Sequence, residues 1–395
     1  MLLCHTSDSH LNEDATASQG RIIRNPSGEN VRWLDRIRCA MAVVVGAIDR
    51  KCDIFLHAGD LFDRSRPTPK EYTTANTVLD AAAEHMHVVV CADNHGLSQA
   101  ADDPHAIEPI RGRKAGLHIC SRPTVLRLKT TEGMVQVAVL PYPRSALVAA
   151  KAEMQGKPPE QINAAVSEKL TLLAEKLLAD CDPSLPRILV AHVMIAGSRL
   201  TAKGGEIEAG GICLPRSALK GWDYVALGDV HVAQHFPETQ AYYSGSTDRC
   251  NFGEEADTKS WNLVALDTIG APARVVHIET PARRYITLSP EEITPDRLLK
   301  LFGQPDLESF PIVRLKAEMT FEDYRRLGPA LQEWRKIPYF LEDVAIIRTA
   351  RARHEAMTGM LTAEQALALW CQQHERPDTE ELQAEHAALA ATIGG

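Results

Sequence analysis

Apolar residues along the chain gather in short, unbroken runs, and several of these runs stop at a polar residue able to do chemistry. Asp53-Ile54-Phe55-Leu56-His57-Ala58-Gly59-Asp60-Leu61-Phe62-Asp63 is the clearest case. Its first half reads as a buried strand, Gly59 permits a tight turn, and the carboxylates of Asp60 and Asp63 follow at once. Met1 to Thr6 is a similar segment that ends in Ser7-Asp8-Ser9-His10. Between the two, Trp33, Ile37, Met41, Val44 and Ile48 recur at helical spacing. The pattern therefore predicts a strand, a crossover helix and a parallel strand, with both acidic motifs on one edge of the sheet.

The alternation continues. Tyr72 to Met86 reads as a helix and His87 to Cys91 as a strand, with Asp93-Asn94-His95-Gly96 as the loop after it; Val135 to Pro141 reads as another strand. Ile162, Val166, Leu170, Leu173 and Leu177 form one face of a helix that starts after Pro158-Pro159. Ile188 to Ala191 stops at His192, and Tyr224 to Gly228 stops at Asp229-Val230-His231. Residues 197–221 are rich in glycine and read as a surface loop able to close over a substrate. Tyr242 to Ser246 and a strand from Val275 to Glu279 close a first domain, residues 1–280. Residues 281–350 hold strand-like runs at Pro311 to Leu315 and Val344 to Ile347 around a helical pattern at Tyr324 to Trp334, which predicts a small α+β domain. Residues 351–395 read as two short helices broken at Pro377, with Ala366, Leu367, Leu369 and Trp370 as an apolar face seeking a partner.

Composition changes this picture little. Hydrophobic content of 45% and charged content of 24% are those of a soluble globular protein. Nine cysteines without a CxxC pair form neither a disulfide framework nor a zinc ribbon, which points to reduced thiols and a cytoplasmic location. No run approaches the roughly 20 apolar residues of a membrane span, and Asp8 and His10 would be lost with any cleaved signal peptide. A net charge of -9 weighs against nucleic acid as a general partner. The charge is uneven, however, because residues 355–395 carry Glu355, Glu364, Glu375, Asp378, Glu380, Glu381 and Glu385 against Arg376 alone. Of the basic clusters in the remainder, most fit a solvated face. Arg64 and Arg66, beside Asp60, are the candidates for contact with a phosphate.

Five motifs follow five predicted strands: Asp8-x-His10, Gly59-Asp60-x-x-Asp63, Asn94-His95, His192, and Asp229-x-His231. Each is weak alone. Asp-x-His arises about once by chance in such a chain, and Asp103-Pro104-His105, with no strand before it, is such a decoy. A lone His192 is more often a hydrogen-bonded structural residue, and Asn94 a turn residue. Packing does not account for five strand ends that all carry oxygen and nitrogen donors. A carboxylate bridging two cations needs partners from several strand ends, and Asp60 is the candidate bridge. Carboxylate, amide and imidazole donors without thiolate suit manganese, or iron or zinc, better than magnesium alone. Asp63 reads as orienting His95 or a ligand, with a loop-capping Asp as the competing reading.

Taken in order, these motifs resemble the calcineurin-like metallophosphoesterases and, within them, the SbcD nuclease family of bacterial SbcC/SbcD double-strand-break complexes. The segments that carry the resemblance are Leu3 to Leu11, His57 to Asp63 followed by Pro67 and Pro69, Tyr224 to His231, Tyr243-Ser244-Gly245-Ser246 and Phe252-Gly253-Glu254. The resemblance implies an α/β fold, a calcineurin-like β-sandwich flanked by helices, with a small α+β capping domain and a C-terminal helical tail. It implies two Mn2+ ions, with Mg2+, Fe2+ or Zn2+ as alternatives. Asp8, His10, Asp60 and His231 would hold one ion, and Asp60, Asn94, His192 and Asp229 the other. His95 would steady the phosphate or protonate the leaving oxygen.

The same resemblance implies exonuclease action on duplex DNA ends and endonuclease action on single strands, by a homodimer working with an SbcC-like ATPase. The cap would grip DNA and the C-terminal helices would dock the ATPase, and their acidity suits a protein partner better than DNA. Two positions depart from the family pattern. Asp93 precedes Asn94-His95 where glycine is usual and Gly96 follows where an acid is usual, so an extra carboxylate would stand beside the phosphate path. Asp229 occupies a place often held by histidine. The competing functions are a phosphatase or cyclic phosphodiesterase acting on small substrates and a non-catalytic scaffold that binds DNA ends.

Overall fold

The structure, a computed structural model, describes residues 1–18, 20–96, 104–110, 112–143, 150, 153–202, 211–303, 307–347, 363–373, 382 and 384–385. In chain order its elements begin with β1 (Leu2–Thr6), α1 (Val31–Asp49), β2 (Ile54–His57), α2 (Pro69–Ala83), β3 (His87–Cys91) and β4 (Leu117–Cys120). A hairpin of β5 (Thr124–Thr130) and β6 (Gly133–Leu140) follows, then α3 (Pro159–Ala179), β7 (Arg187–His192) and the short pair β8 (Met194–Ile195) and β9 (Cys213–Leu214). Next come β10 (Tyr224–Gly228), β11 (Gln234–Phe236), β12 (Ala241–Tyr243), β13 (Ser260–Ala265) and β14 (Arg274–Glu279).

These strands build two six-stranded sheets, in the orders β14-β13-β1-β2-β3-β4 and β11-β12-β10-β7-β6-β5. β1 through β4 are parallel, as are β6, β7, β10 and β12. Parallel pairing puts the carboxyl ends of β1, β2 and β3 on one edge and those of β7 and β10 on the matching edge of the second sheet. Alternate residues of each strand face opposite ways. Leu3, Ile54, Leu56, Val89 and Cys91 meet Val137, Val139, Ile188, Val190 and Ala226 between the sheets. Cys4, Phe55, Val88 and Val90 turn outward under Trp33, Val43, Val44 and Leu79 of α1 and α2. Leu140, Leu189 and Leu227 do the same under Leu170, Ala174 and Leu177 of α3. Burial on both faces explains the continuous apolar runs.

α2 starts at Pro69, earlier than Tyr72, because Thr68 and Glu71 form a reciprocal capping box. The strands of residues 285–347 pair as a three-stranded sheet of β15 (Tyr285–Leu288), β16 (Ile312–Thr320) and β17 (Phe340–Ile347). Helices α4 (Pro295–Phe302) and α5 (Phe321–Trp334) lie in the same region of the sequence, and α6 (Ala363–Gln373) carries the expected apolar segment. The rest of the tail apart from residues 382 and 384–385, Gly204, Gly205 and Gly210 of the glycine-rich loop, and Asp103 lie outside the described residues. Two compact units are distinguished: Met1–Lys316 with Pro329–Asp343, and Ala317–Gly328 with Val344–Gly395. Among the described residues no helix is long and apolar enough to cross a membrane.

Within the first unit, buried charges tie α1 to segments C-terminal to it in the chain. Asp35 accepts from Arg32 Nη1 at 2.6 Å and from Arg283 Nε at 2.6 Å, and Arg32 Nη2 reaches Asp248 at 2.5 Å. All four side chains are buried.

Candidate metal centre

Four residues at the sandwich edge have left-handed backbones: Asp8 (φ 52°), His10 (φ 46°), Asp60 (φ 52°) and Asp229 (φ 89°). Outside glycine this costs about 1–2 kcal/mol per residue and persists only where the surroundings over-determine it. Those surroundings are visible. The loop after β1 runs beside the loop after β2, with Asp8 N donating to Gly59 O, His10 N to Asp60 O and Leu11 N to Leu61 O, each at 2.9 Å. Gly59 itself has φ 101°, and a Cβ there would fall on the ring of His192. Asp229 N donates to Asp8 Oδ1 at 3.2 Å, which joins the two sheets at their carboxyl ends.

The side chains these loops carry converge on Asp60. Its Oδ2 lies 3.6 Å from His10 Nε2, and its Oδ1 lies 3.4 Å from His192 Nε2. His192 Nε2 is also 3.1 Å from Asn94 Oδ1 and 3.7 Å from Asp229 Oδ1. On the other side, His10 Nε2 and His231 Nε2 face each other at 3.0 Å, and His231 Nε2 stands 3.9 Å from Asp8 Oδ1. All seven residues expected to hold metal thus come together around the two oxygens of Asp60.

Hydrogen bonds on the far side of two of the rings, His192 and His231, set their tautomers. His192 Nδ1 donates to Ala58 O at 2.8 Å and His231 Nδ1 to Glu254 Oε1 at 2.9 Å, while His10 Nδ1 faces Asp63 Oδ1 at 3.2 Å. Carbonyl and carboxylate oxygens only accept, so in the neutral His192 and His231 rings the N–H sits on Nδ1 and the Nε2 lone pair points inward. Lone pairs and carboxylate oxygens brought this close together favour a cation lying among them. Asp8 Oδ2 and Asp60 Oδ1 are buried and without a hydrogen-bond partner, which fits the same need. Ligand atoms of Asp8, His10, Asp60 and His231 all lie within 4.8 Å of one another. Donors sharing one cation at about 2.0–2.2 Å sit roughly 3.0–3.6 Å apart, and most of the spacings above are of that size. The residues present fit a divalent metal.

The electrostatics agree. Burial, then Asp93, Asp8 and Asp229, push the Asp60 carboxyl well above its usual range. Burial also raises Asp229. Asp8 is raised by burial, but His231, His192 and His10 outweigh that and hold it below its ordinary value. For Glu254, burial is outweighed by the bond from His231 and by Lys259, which bring the carboxyl down to about 2.

Asp63 Oδ1 lies 3.6 Å from His95 Nδ1, beyond hydrogen-bond distance, and His95 Nε2 lies 3.6 Å from Asp60 Oδ2. The same carboxylate also faces His10, accepts from Asn12 Nδ2 at 3.1 Å and pairs with Arg36 at 3.5 Å. Arg64 lies against Asn12, Asp14 and Glu71, with Asp14 at 3.1 Å. Arg66 is exposed.

Asp93 departs from expectation. Its carboxylate is buried and taken up by backbone, accepting from Asp60 N at 2.9 Å and Gly96 N at 2.7 Å. The discounted His105 packs on it, with Nε2 3.5 Å from Asp93 Oδ1. Burial raises this carboxyl, but His105, His192 and the Gly96 N–H outweigh it and bring it to about 2. A Cβ at Gly96 would fall on the His105 ring. Asp93 and Gly96 thus work together to place the backbone of Asp60. Sequence reasoning also missed Arg36, Cys250 and Lys259, and met Glu254 only as part of a family motif. Nothing in local spacing singles these out, since each acts across the fold on a loop whose position only tertiary packing decides.

No model of a protein family matches the chain, and no curated protein matches it in sequence. Among solved structures, the fold is similar to TT1561 of Thermus thermophilus, at 13% identity over 70% of this chain and 98% of that one, with a TM-score of 0.38. It is also similar to a dimetal phosphatase from Danio rerio, at 11% identity over 70% of this chain and 98% of that one, with a TM-score of 0.36. These similarities are too distant to say what the chain does.

Proposed function

We propose that the chain is a two-metal phosphodiester hydrolase that cuts DNA, of the SbcD nuclease type, with manganese as its working ion. The observation that supports this most is Asp60, whose two oxygens face two separate donor sets, His10 with His231 and Asp8 on one side and His192 with Asn94 and Asp229 on the other. Two cations held there supply Lewis-acid stabilisation of a phosphoryl oxygen and activation of a water for in-line attack. Asp8, Asp60, Asp229, His10, His192, His231 and Asn94 would hold them.

The chain's other residues do the rest. Ala58 O, Glu254 and Asp63 fix the rings that bind. His95, with a side chain 40% exposed beside Asp60, is the group open to solvent that would meet the phosphate and give a proton to the leaving oxygen. Asp63 orients it. Arg64 and Arg66 would approach the DNA backbone. Residues 281–350 form the DNA-gripping cap, residues 351–395 dock an SbcC-like ATPase, and the working unit is a cytoplasmic homodimer.

The test combines metal analysis with manganese-supplemented cleavage of linear duplex DNA. Asp60→Ala loses metal and activity together. His95→Ala keeps metal and loses turnover by about 10²–10⁴-fold; cleavage at the parental rate refutes its role. Hydrolysis of a chromogenic bis-phosphodiester without DNA cleavage would move the assignment to a small-substrate phosphodiesterase. Bound manganese with no hydrolysis of any phosphodiester would move it to a scaffold.

A further inference from the structure

The donor set expected from the sequence contains no thiolate, yet a cysteine stands on the His10 and His231 side of the centre. Of the nine cysteines, eight are buried, and Cys250 is the one with partial solvent access. Its Sγ lies with ligand nitrogens of His10 and His231 inside a single cluster whose atoms are all within 4.8 Å of one another. The thiol is also held there. Glu254 accepts from Cys250 N through Oε2 at 3.1 Å while its Oε1 accepts from His231 Nδ1 at 2.9 Å, so one buried carboxylate sets both donors. Lys259 Nζ fixes that carboxylate at 2.6 Å. Arg36 Nη2 stands 4.0 Å from the sulfur, a cationic neighbour suited to a thiolate.

A hydrogen bond from the thiol to His231 would use one donor on one ring. It would leave His10 Nε2 facing His231 Nε2 at 3.0 Å, and Asp8 Oδ2 without a partner. A cation touched by the sulfur and by a ring nitrogen of each histidine takes up all three donors at once. We infer that Cys250 is a sulfur ligand of the ion held by His10 and His231, so that this position takes a borderline-soft ion, Zn2+ or Fe2+, in preference to Mn2+ or Mg2+. The thiol proton leaves to solvent as the metal–sulfur bond forms, without redox change. The inference rests on the two-metal reading above and changes the ion on one of its sides: Zn2+ or Fe2+ where sulfur binds, with manganese kept for the side that offers only oxygen and imidazole.

Cobalt decides it, because a Co2+–thiolate bond gives an intense charge-transfer band in the near ultraviolet, apart from the weak visible bands of any bound Co2+. Metal-free full-length protein is titrated with Co2+, beside Cys250→Ser and Cys250→Ala, with circular dichroism confirming that each variant is folded. The parent is expected to show both sets of bands, and the variants to keep the visible bands and lose the charge-transfer band. Competition is expected to show Zn2+ selectivity over Mn2+ falling by about tenfold or more in Cys250→Ser. Cobalt bound by the parent without a charge-transfer band overturns the sulfur ligand and leaves the metal centre standing. A band that persists in both variants overturns it equally. Failure of the parent to bind cobalt, zinc or manganese overturns the metal centre itself. The parent spectrum alone suffices should the variants misfold.

Discussion

Gly59→Ala tests whether the turn after β2 is shaped by His192. The substitution has two costs. The backbone at φ 101° disfavours any side chain by about 1–3 kcal/mol, less about 0.4–1 kcal/mol regained because alanine restricts the unfolded chain. The new methyl also falls on Cβ, Cγ and Nδ1 of His192. That ring has no exposure and donates to Ala58 O at 2.8 Å, so moving it costs packing and a hydrogen bond together. Overpacking adds about 1–3 kcal/mol and loss of the Nδ1 hydrogen bond about 1 kcal/mol. Gly28→Ala is the control: its φ is 84°, it is exposed, and nothing lies within 4 Å of its added Cβ. Thermal or urea unfolding of the metal-free proteins should place Gly59→Ala about 2–4 kcal/mol below Gly28→Ala. Metal analysis should show that only Gly59→Ala binds fewer ions, because a shifted His192 withdraws from Asn94 and Asp229. Equal stability and equal metal content in the two variants would refute the claim that close packing of glycine against this ring positions the ligand.

Glu254→Gln should cost about 2–4 kcal/mol in unfolding measurements, since Lys259, fully buried at 2.6 Å from that carboxylate, keeps only Asp257 at 3.5 Å as a charged partner. The same variant should weaken metal binding through His231, and a stability equal to the parent would show that Lys259 does not depend on this pair. His5 offers a pH test away from the ligands. It is buried between the sheets, where its Nδ1 meets Tyr224 OH at 2.8 Å, and burial pushes it down to about 3 against the opposing pull of Leu227 O. Because the unfolded chain takes up the proton first, this group's contribution is intact above about pH 6.5 and is lost as pH falls toward 3, by about 1.4 kcal/mol per pH unit. His5→Gln should therefore show a shallower fall in stability than the parent between about pH 6.5 and 5, and parallel slopes would count against a neutral buried His5.

The parts of this fold that the sequence discloses are those whose surroundings are uniform. β1, β2, β3, β7 and β10 lie in the middle of two covered sheets, so their apolar runs are continuous, and a polar residue at the end of such a run stands out. β5 and β11 lie at a sheet edge, where Arg127, Lys129 and Gln234 break the pattern. β13 is central yet equally hidden, because Ser260 and Asn262 on it are buried and bond to Ser244 O and to His5 and Tyr224 across the interior. A polar cluster inside a sandwich erases the signal that burial normally leaves. The site divides along the same line. Asp8, Asp60, Asn94, His192, Asp229 and His231 each follow a readable strand, so position alone brings them together. Asp93 could be seen but its direction could not: one carboxylate beside a metal site either faces the substrate or holds the backbone, and the choice is made by His105, twelve positions on. Glu254 and Cys250 are further removed, since they reach His231 only after β12 has returned the chain to the sheet edge. The residues that set tautomer, ring direction and metal preference here belong to connections between strands, and such connections leave no periodic trace in sequence.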